Sequence, residues 1–456
     1  MSPMEQFVTF LLYATLFGVC VWLPFYIGKK ALEAWVEYVR GAFYAKQKYK
    51  LLEFRIAKGI ARSPLAMELF LNALFQPQGE GGWYDIYVKG STRNWFSLEI
   101  VSIEGQVRFF IWTKESFVDL IKTQVYGQFP NTEIVDVDTT GEGDYAKKIP
   151  WDPSKYKYWC GEFKKKNAGH FPIRTYVDYG LDKNPKEEFK IDPMTPLIEY
   201  MGSLGKGEQA WLQIGLRAPN KDVEKKIPDT LTAEERKKKK YGRFQKVEYV
   251  DWTDAAKEET KKLSKRDIKI DKEKPINPAD MKLTPQEEEK LEAVERSLSK
   301  LAFEVSIRAV YVAPKDIFMP AHSAAFGGTF KQYNTAHLNS FETKAPSVKY
   351  PWQDKTGALV DADKKEIFTQ YQHRAFFYDE FLPIKGIGKW KTANMKTVEK
   401  ILSGDAFGKK TKNFLPFIMT IEELATIYHF PGDIATTPTL TRVEAKKAEP
   451  PANLPV

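Results

Sequence analysis

WFSLEIVSI-EG-QVRFFIWT (Trp95–Thr113) has a clear β-strand pattern on both sides of a short polar break. β-branched and aromatic residues dominate both runs, as is typical of strands. The break is Glu104-Gly105, and glycine favours a tight turn because it adopts positive φ without steric cost. The sequence therefore predicts a β-hairpin over these residues.

Further helices and strands are predicted on both sides of this hairpin. Ser63 is a good N-cap and Pro64 a good first helical residue, so a helix is expected to begin there. The order strand, strand, helix, strand that starts at the hairpin is half of a split βαβ, ferredoxin-like arrangement. The predicted elements are strands at Leu51–Ala57, Trp83–Gly90 and Thr132–Val137 and helices at Ser63–Phe75 and Lys114–Phe129.

A similar order recurs in the second third of the chain. A capping box, Thr284-Pro285-Gln286-Glu287, predicts the start of one of its helices. We therefore predict an α+β protein with two related ferredoxin-like units. The elements predicted for the second unit are strands at Lys157–Phe163, Phe171–Tyr179, Gly207–Ala218 and Ser299–Ala313 and a helix at Asp192–Leu204.

The amino-terminal segment Phe7–Ile27 contains 21 residues and no charge. A helix of that length reaches about 31 Å, close to the hydrocarbon thickness of a bilayer. A cleaved signal peptide is disfavoured because the preceding MSPMEQ carries no Lys or Arg. A buried helix would rarely be apolar around its whole circumference. The sequence therefore predicts an uncleaved single-pass transmembrane helix.

The charge of the chain is concentrated directly after this segment. The formal net charge is +9, and residues 29–62 hold nine basic and three acidic residues, a net +6. Basic residues on the carboxyl side predict that the bulk of the chain is cytoplasmic, on the inner membrane. The residues expected at the membrane interface are Trp22, Tyr26, Lys29, Lys30, Trp35 and Arg40.

Apolar residues continue past the uncharged segment at helical spacing. Leu32, Trp35, Val39 and Phe43 form one stripe of a helix predicted from Lys29 to about Lys50. The stripe fits either a helix lying on the cytoplasmic leaflet or packing against an identical helix in an oligomer. The sequence does not separate these two readings.

A charged insertion is expected at residues 220–282, where apolar residues are few. Within it, basic side chains could contact nucleic-acid phosphates or lipid headgroups. The alternative is a solvated helix face balanced by nearby acids. The basic residues concerned are Arg236, Lys237, Lys238, Lys239 and Lys240.

Catalytic and cofactor signatures are not found in the sequence. Cys160 lies in a predicted strand, where a packed thiol is expected, and Cys20 lies in the predicted anchor. The five histidines are scattered without metal-ligand spacing, so no metal, no cofactor and no enzymatic activity are predicted. None of the Gly-Lys stretches matches the GxxxxGK[ST] phosphate loop; they are Gly202–Gly207, Gly386–Trp390 and Gly404–Thr411.

The expected organisation has a membrane anchor, two α+β units and a linker. The predicted segments are the anchor (1–28), a basic juxtamembrane helix with the first strand (29–62), a first α+β unit (63–150), a second (151–340) with the insertion 220–282, an irregular and helical region (341–436) and a Pro-rich linker (437–456).

Several stretches together resemble the membrane-anchored amino-terminal region of type IV secretion-like, conjugation-related, coupling-type ATPases of candidate-phyla (patescibacterial) bacteria. The resemblance extends from the anchor to the last residue and rests on architecture, since no catalytic motif is involved. The stretches are SPLAMELFLNALF (Ser63–Phe75), NWFSLEIVSIEGQVRFFIWT (Asn94–Thr113), DPMTPLIEYMGSLGKGEQAWLQIGLRA (Asp192–Ala218), IMTIEELATIYHFPG (Ile418–Gly432) and EAKKAEPPANLPV (Glu444–Val456).

In that family the chain runs on into a P-loop DNA-pump domain, whereas this sequence stops at Val456 without a Walker motif. The sequence is then either a fragment or a membrane adaptor for an ATPase on a separate chain. The resemblance implies a non-catalytic, homo-oligomeric component that docks this ATPase at the membrane. Nucleic-acid binding through the basic segments is the alternative function.

Overall fold

The structure of the chain, a computed structural model, divides into two compact units. Unit 1 comprises Met1–Lys48, Gln78–Arg93 and Tyr378–Gly408, and unit 2 comprises Tyr49–Pro77, Asn94–Phe377 and Lys409–Val456. The residues that the structure describes are 3–57, 63–130, 132–137, 143–182, 191–219, 224–225, 249–250, 252–264, 283–348, 350, 352, 354–377, 416–431 and 442–443.

Unit 1 is built on one long helix, α1 (Pro3–Ala45). Within the described part of the chain, no helix is long and apolar enough to cross a membrane. The predicted single-pass transmembrane anchor is therefore wrong, and so is the predicted inner-membrane localisation. The uncharged stretch contains residues that lower its apolarity, namely Thr9, Tyr13, Thr15 and Pro24.

The segment that follows α1 in unit 1 packs against its carboxyl-terminal part. Residues Asp85–Lys89 form a short π-helical turn, so the strand predicted at Trp83–Gly90 is wrong. Gly90 has φ 65°, and a Cβ there would lie 2.4 Å from the carbonyl carbon of Val39. Only glycine allows this approach, and Val39 is buried as a result.

Unit 2 contains the sheet and the remaining helices. Its strands are β1 (Tyr49–Ala57), β2 (Trp95–Ile103), β3 (Gln106–Lys114), β4 (Glu133–Val137), β5 (Tyr156–Lys165), β6 (Gln209–Arg217), β7 (Glu224–Lys225), β8 (Tyr249–Val250), β9 (Ala302–Pro314), β10 (Phe341–Lys344), β11 (Phe417–Thr420) and β12 (Arg442–Val443). Its helices are α2 (Pro64–Ala73), α3 (Val118–Gln128), α4 (Tyr145–Lys148), α5 (Thr195–Gly202), α6 (Trp252–Leu263), α7 (Pro285–Leu298), α8 (Pro320–Gly328), α9 (Ala358–Gln372) and α10 (Ile421–Ile427).

Eight strands follow one another across the main sheet in the order β4-β1-β3-β2-β6-β9-β5-β10, and every neighbouring pair is antiparallel. β11 adds to β9 as a ninth antiparallel strand, and β12 pairs with the end of β1 in parallel. β7 and β8 form a separate two-stranded ladder. The α+β class predicted from the sequence is confirmed.

The two halves of this sheet have the same topology. In the amino-terminal half the chain runs β1-α2-β2-β3-α3-β4, and in the carboxyl-terminal half it runs β5-α5-β6-β9-α8-β10. In both halves the first and third strands are central and the second and fourth flank them, which is the split βαβ arrangement. The halves meet where β2 pairs with β6 over nine residue pairs, from Trp95↔Arg217 to Ile103↔Gln209.

One face of the sheet carries the hydrophobic core. Alternate residues of the central strands point to it, for example Leu98 of β2, Phe109 of β3 and Ile307 of β9. Helices α2, α3, α5, α8 and α10 contribute to the same core. Each buried large apolar side chain of this kind stabilises the fold by about 1.5–3 kcal/mol.

Some of the elements predicted from local sequence signals are present in the structure, and others are not. The capping box predicted at Thr284 is present, with reciprocal hydrogen bonds to Glu287, and Thr420 forms a second one with Glu423. The strand predicted at Phe171–Tyr179 is wrong. This segment forms turns in which the Asp178 carboxylate accepts from the Thr175 backbone N–H.

We expect Gly105→Ala to destabilise unit 2 more than Gly180→Ala. Both glycines have positive φ, 83° and 71°, but a Cβ at residue 105 would lie 2.7 Å from the Leu204 carbonyl oxygen, whereas nothing lies within 4 Å at residue 180. Backbone strain should cost about 1–2 kcal/mol in each variant, and the clash should add to it only in Gly105→Ala. Urea unfolding measures both, and equal costs would contradict the turn geometry.

Candidate functional site

The residues predicted for a membrane interface all lie on α1, and their contact with a membrane surface stays a prediction. Trp22 is 62% exposed and stacks on Tyr26 with ring centroids 4.9 Å apart. Arg40 is half-buried. Lys29 and Lys30 belong to α1, but their side chains are outside the described part of the structure.

Trp35 belongs to an aromatic patch within unit 1. Its indole Nε1 donates a hydrogen bond to the Tyr87 carbonyl oxygen at 2.7 Å, which ties α1 to the segment 78–93. Lys89 lies over the Tyr84 ring at 5.3 Å. We call this surface the aromatic patch. It consists of the exposed side chains of Trp35, Tyr38, Trp83, Tyr84 and Tyr87.

The amino-terminal part of α1 exposes large apolar side chains along its length. Phe10, Phe17 and Phe25 are between 68% and 78% exposed. Apolar surface of this extent is rare on a chain that acts alone and marks an interaction site. The other exposed members within this part of α1 are Met4, Leu12, Tyr13, Leu16, Val21, Trp22, Leu23, Tyr26 and Ile27.

The basic run Arg236–Lys240 lies outside the described residues, so the predicted nucleic-acid or lipid contact stays a prediction. The Gly-Lys stretches Gly386–Trp390 and Gly404–Thr411 also lie outside them.

The remaining Gly-Lys stretch, Gly202–Gly207, follows α5 and uses its amides within the protein. The Gly205 N–H donates to the Glu208 carboxylate at 2.8 Å, and the Gly207 N–H donates to Glu104 at 2.9 Å. A phosphate cradle needs such amides free and pointing inward. The amides of Gly205 and Gly207 are therefore not available to bind a phosphate.

A carboxylate, an imidazole and a phenol meet next to that loop. Glu208 Oε1 lies 2.8 Å from His322 Nδ1 and accepts a hydrogen bond from the Tyr311 hydroxyl at 2.5 Å. Burial raises the pKa of Glu208, but the hydrogen bonds from Tyr311 and Gly205 outweigh burial and lower it below the usual value. Burial, together with the bond to Glu208, raises the pKa of Tyr311 to about 12.

This cluster orients the His322 ring, but its partners are other side chains of the fold. Ser323, the neighbouring hydroxyl, donates to the Pro320 carbonyl of its own helix rather than to the imidazole. Over the described residues, no group of three or more His, Cys, Asp or Glu side chains could hold a metal ion. Cys160 is fully buried in β5, which confirms the predicted packed thiol.

A row of residues that are polar except for Phe110 crosses the sheet on the face opposite the core. Strand register places Glu53 beside Phe110, Phe110 beside Glu99, and Glu99 beside Gln213. The row continues from Gln213 to Arg308 and Glu162. The pair Glu99–Gln213 is the middle one of the nine β2–β6 pairs. The row therefore crosses the joint between the two halves of the sheet.

Arg374, directly after α9, pairs with two buried carboxylates at this joint. Its Nε lies 2.9 Å from Glu99 Oε1 and its Nη1 lies 2.7 Å from Asp144 Oδ2, and all three side chains are at most 3% exposed. We call Arg374, Glu99 and Asp144 the Arg374 clamp. The backbone of Arg374 is left-handed, with φ 53°, a conformation that non-glycine residues adopt at a cost.

Tyr145, Gln213 and Ser97 also donate hydrogen bonds to Glu99. The Tyr145 hydroxyl donates to Glu99 Oε2 at 2.7 Å, and Gln213 Nε2 donates to Oε1 at 3.0 Å. The Tyr371 hydroxyl lies 2.9 Å from that of Tyr145. Burial and then the Glu99 charge raise the pKa of Tyr145 well above its usual value, so this tyrosine stays neutral.

The residues after Arg374 continue across the same face. The Ala375 carbonyl accepts from Arg308 Nη1 at 2.6 Å, and the Phe376 ring lies 4.6 Å from the Arg308 guanidinium. A Cβ on Gly215 would lie 2.4 Å from the Phe376 ring, so glycine is needed there. The clamp thus fixes the segment that follows α9 onto the sheet.

Sequence reasoning missed the clamp. A glutamate within the apolar run WFSLEIVSI was a signal, because a charge predicted to lie inside a sheet needs a partner. Arg374 lies 275 residues away, and no local pattern identifies it as that partner.

No protein-family model matches this sequence, and no curated protein is significantly similar to it. The resemblance drawn from the sequence therefore remains a prediction.

Arg374→Met is expected to destabilise unit 2 by about 3–5 kcal/mol, because it leaves Glu99 and Asp144 charged and unpaired in the interior. The triple variant Arg374→Met, Glu99→Gln, Asp144→Asn should recover part of this loss, since no buried charge remains. Chemical denaturation followed by circular dichroism measures both. Lys147→Met, which removes an exposed charge 4.0 Å from Asp144, is the control and should change little.

The stability of the Arg374→Met variant should also depend less on acidic pH than that of the wild type. Burial raises the pKa of Asp144, but the charge and hydrogen bonds of Arg374 outweigh it and lower the pKa below the usual value. The stabilisation is therefore present above the unfolded pKa and is lost as the pH falls below it. Arg374→Met should remove this part of the acid dependence, and an unchanged acid profile would contradict the clamp.

Proposed function

We propose that this chain is a non-catalytic assembly subunit that self-associates and docks a separate motor ATPase in a type IV secretion or conjugation-like system. The observation that supports it is the apolar surface that α1 exposes from Met4 to Tyr38. Contiguous exposed apolar surface is typical of protein–protein interaction sites. The secretion context rests on the sequence resemblance alone.

The aromatic patch is the proposed docking surface for the ATPase. Trp and Tyr are the residues that most often dominate binding energy at interfaces, because they bury large areas at low entropic cost. Trp83 and Tyr38 are 71% and 66% exposed, so both can transfer apolar area from water to a partner. Their backbone is held in place by the Trp35–Tyr87 hydrogen bond and by Gly90 packed on Val39.

The use of polar groups within the fold supports a non-catalytic role. The Gly205 and Gly207 amides, the Glu208–His322–Tyr311 cluster and the Arg374 clamp all have partners inside the chain. Catalytic groups need a site where a reacting atom can approach them. Nucleic-acid binding through Arg236–Lys240, the alternative function, stays a prediction because those residues are outside the described ones.

The test uses the tagged chain expressed in the organism it comes from. We expect the double variant Trp83→Ala, Tyr84→Ala to abolish co-purification of a P-loop ATPase. Removing two exposed rings takes binding area from the patch while leaving buried contacts intact, so the unfolding midpoint should not change. Mass spectrometry identifies the co-purified ATPase by its Walker sequence. Tyr126→Ala, an exposed ring of α3 that is 45% exposed, is the matched control.

Equal ATPase recovery with the double variant and the control would contradict the proposed docking surface. Absence of any P-loop ATPase from the wild-type preparation, or ATP hydrolysis by the purified chain itself, would contradict the proposed function.

A further inference from the structure

We infer that two copies of this chain pair antiparallel through α1, with the uncharged segment Phe7–Ile27 of each helix lying along the same segment of the other. This inference rests on the self-association part of the proposed function and adds the partner, the segment and the orientation. It uses the part of α1 that unit 1 leaves exposed.

The exposed area of this segment is sufficient for a dimer. Six aromatic side chains of the segment are between 38% and 78% exposed: Phe10, Tyr13, Phe17, Trp22, Phe25 and Tyr26. With the exposed aliphatic residues, each helix offers roughly 1,200 Å² of apolar side chain, taking about 200 Å² per large aromatic side chain. Covering half of that area on both copies buries about 1,200 Å², the lower end of stable interfaces.

The charges at the two ends of the segment select the orientation. Glu5 lies just before the segment, and Lys29 and Lys30 lie just after it. Antiparallel overlap centred on Phe17 brings Glu5 of one copy to the level of Lys29 of the other at both ends. Parallel overlap would instead bring Glu5 level with Glu5 and Lys29 level with Lys29, where like charges repel.

The carboxyl-terminal part of α1 limits the overlap. Val39 is buried, and within unit 1 residues 85–90 pack on this part of the helix. A second copy therefore meets a free helix surface only before this region. The uncharged segment, about 31 Å long at 1.5 Å per residue, lies entirely within the free part.

Dipolar electron paramagnetic resonance on the purified full-length chain tests the orientation. A spin label on the native Cys20, which is exposed, should lie within about 15 Å of its counterpart in either orientation and so reports pairing alone. A label on Met4→Cys in a Cys20→Ser background should give about 40 Å in an antiparallel pair and about 10 Å in a parallel one. Cys160 is buried and will not be labelled, since burial raises the pKa of its thiol to about 12.

A charge exchange provides the second readout. Glu5→Lys should weaken dimerisation about tenfold, because it turns two attractions into repulsions. Adding Lys29→Glu and Lys30→Glu should restore the dimer. Glu37→Lys makes the same charge change outside the overlap and should leave the dimer unchanged.

A distance near 40 Å with loss and rescue of the dimer supports the inference. A distance near 10 Å, or a Glu5→Lys variant that dimerises normally, overturns the antiparallel orientation and leaves self-association standing. Absence of coupling at Cys20 overturns the pairing itself, whereas the docking of an ATPase is tested separately by the aromatic-patch variants.

Discussion

The antiparallel pairing of β2 with β6 is the contact that makes one sheet out of two βαββαβ halves. Nine residue pairs form this joint, and its middle pair is Glu99 with Gln213. Both faces of the sheet must pack against other parts of the chain. At the joint, β2 and β6 present different side chains on the two faces. The core face receives Leu98 and Leu212, and the opposite face receives the polar row and the Arg374 clamp.

Burying the charges of the clamp costs hydration free energy. We infer that the clamp contributes to the specificity of the fold rather than to its net stability. Isolated charges lose several kcal/mol of hydration when they leave water, so an ion pair in the interior contributes little net stability. The clamp specifies a single arrangement. Another register of the segment after α9 would remove Arg374 from the carboxylates of Glu99 and Asp144 and leave both buried without a cationic partner. The polar row thus fixes one position for this segment on the sheet.

The sequence predicted the elements whose signals are local. The hairpin at Trp95–Thr113 and the Thr284 capping box depend on residues close together, and both are confirmed. The strand predicted at Trp83–Gly90 failed because Gly90 packs on Val39 of α1, and a contact over that separation has no local signature. The clamp was missed for the same reason, since Arg374 and Glu99 come together only through the fold.

The transmembrane prediction failed for a different reason. It weighed the absence of charge over Phe7–Ile27 more than the hydroxyl groups and the proline within it. The exposed apolar side chains of α1 remain the feature that any function must explain. A partner that covers them explains their presence, and the aromatic patch adds a second surface that is suited to binding.

Hydrogen exchange followed by mass spectrometry, resolved to single strands, tests most directly the claim that the β2–β6 joint unites the sheet. We expect the amides of β2, β6 and β9 to exchange together and last, through one global unfolding event. Exchange of the two halves at clearly different free energies, with β2 opening independently of β6, would contradict it.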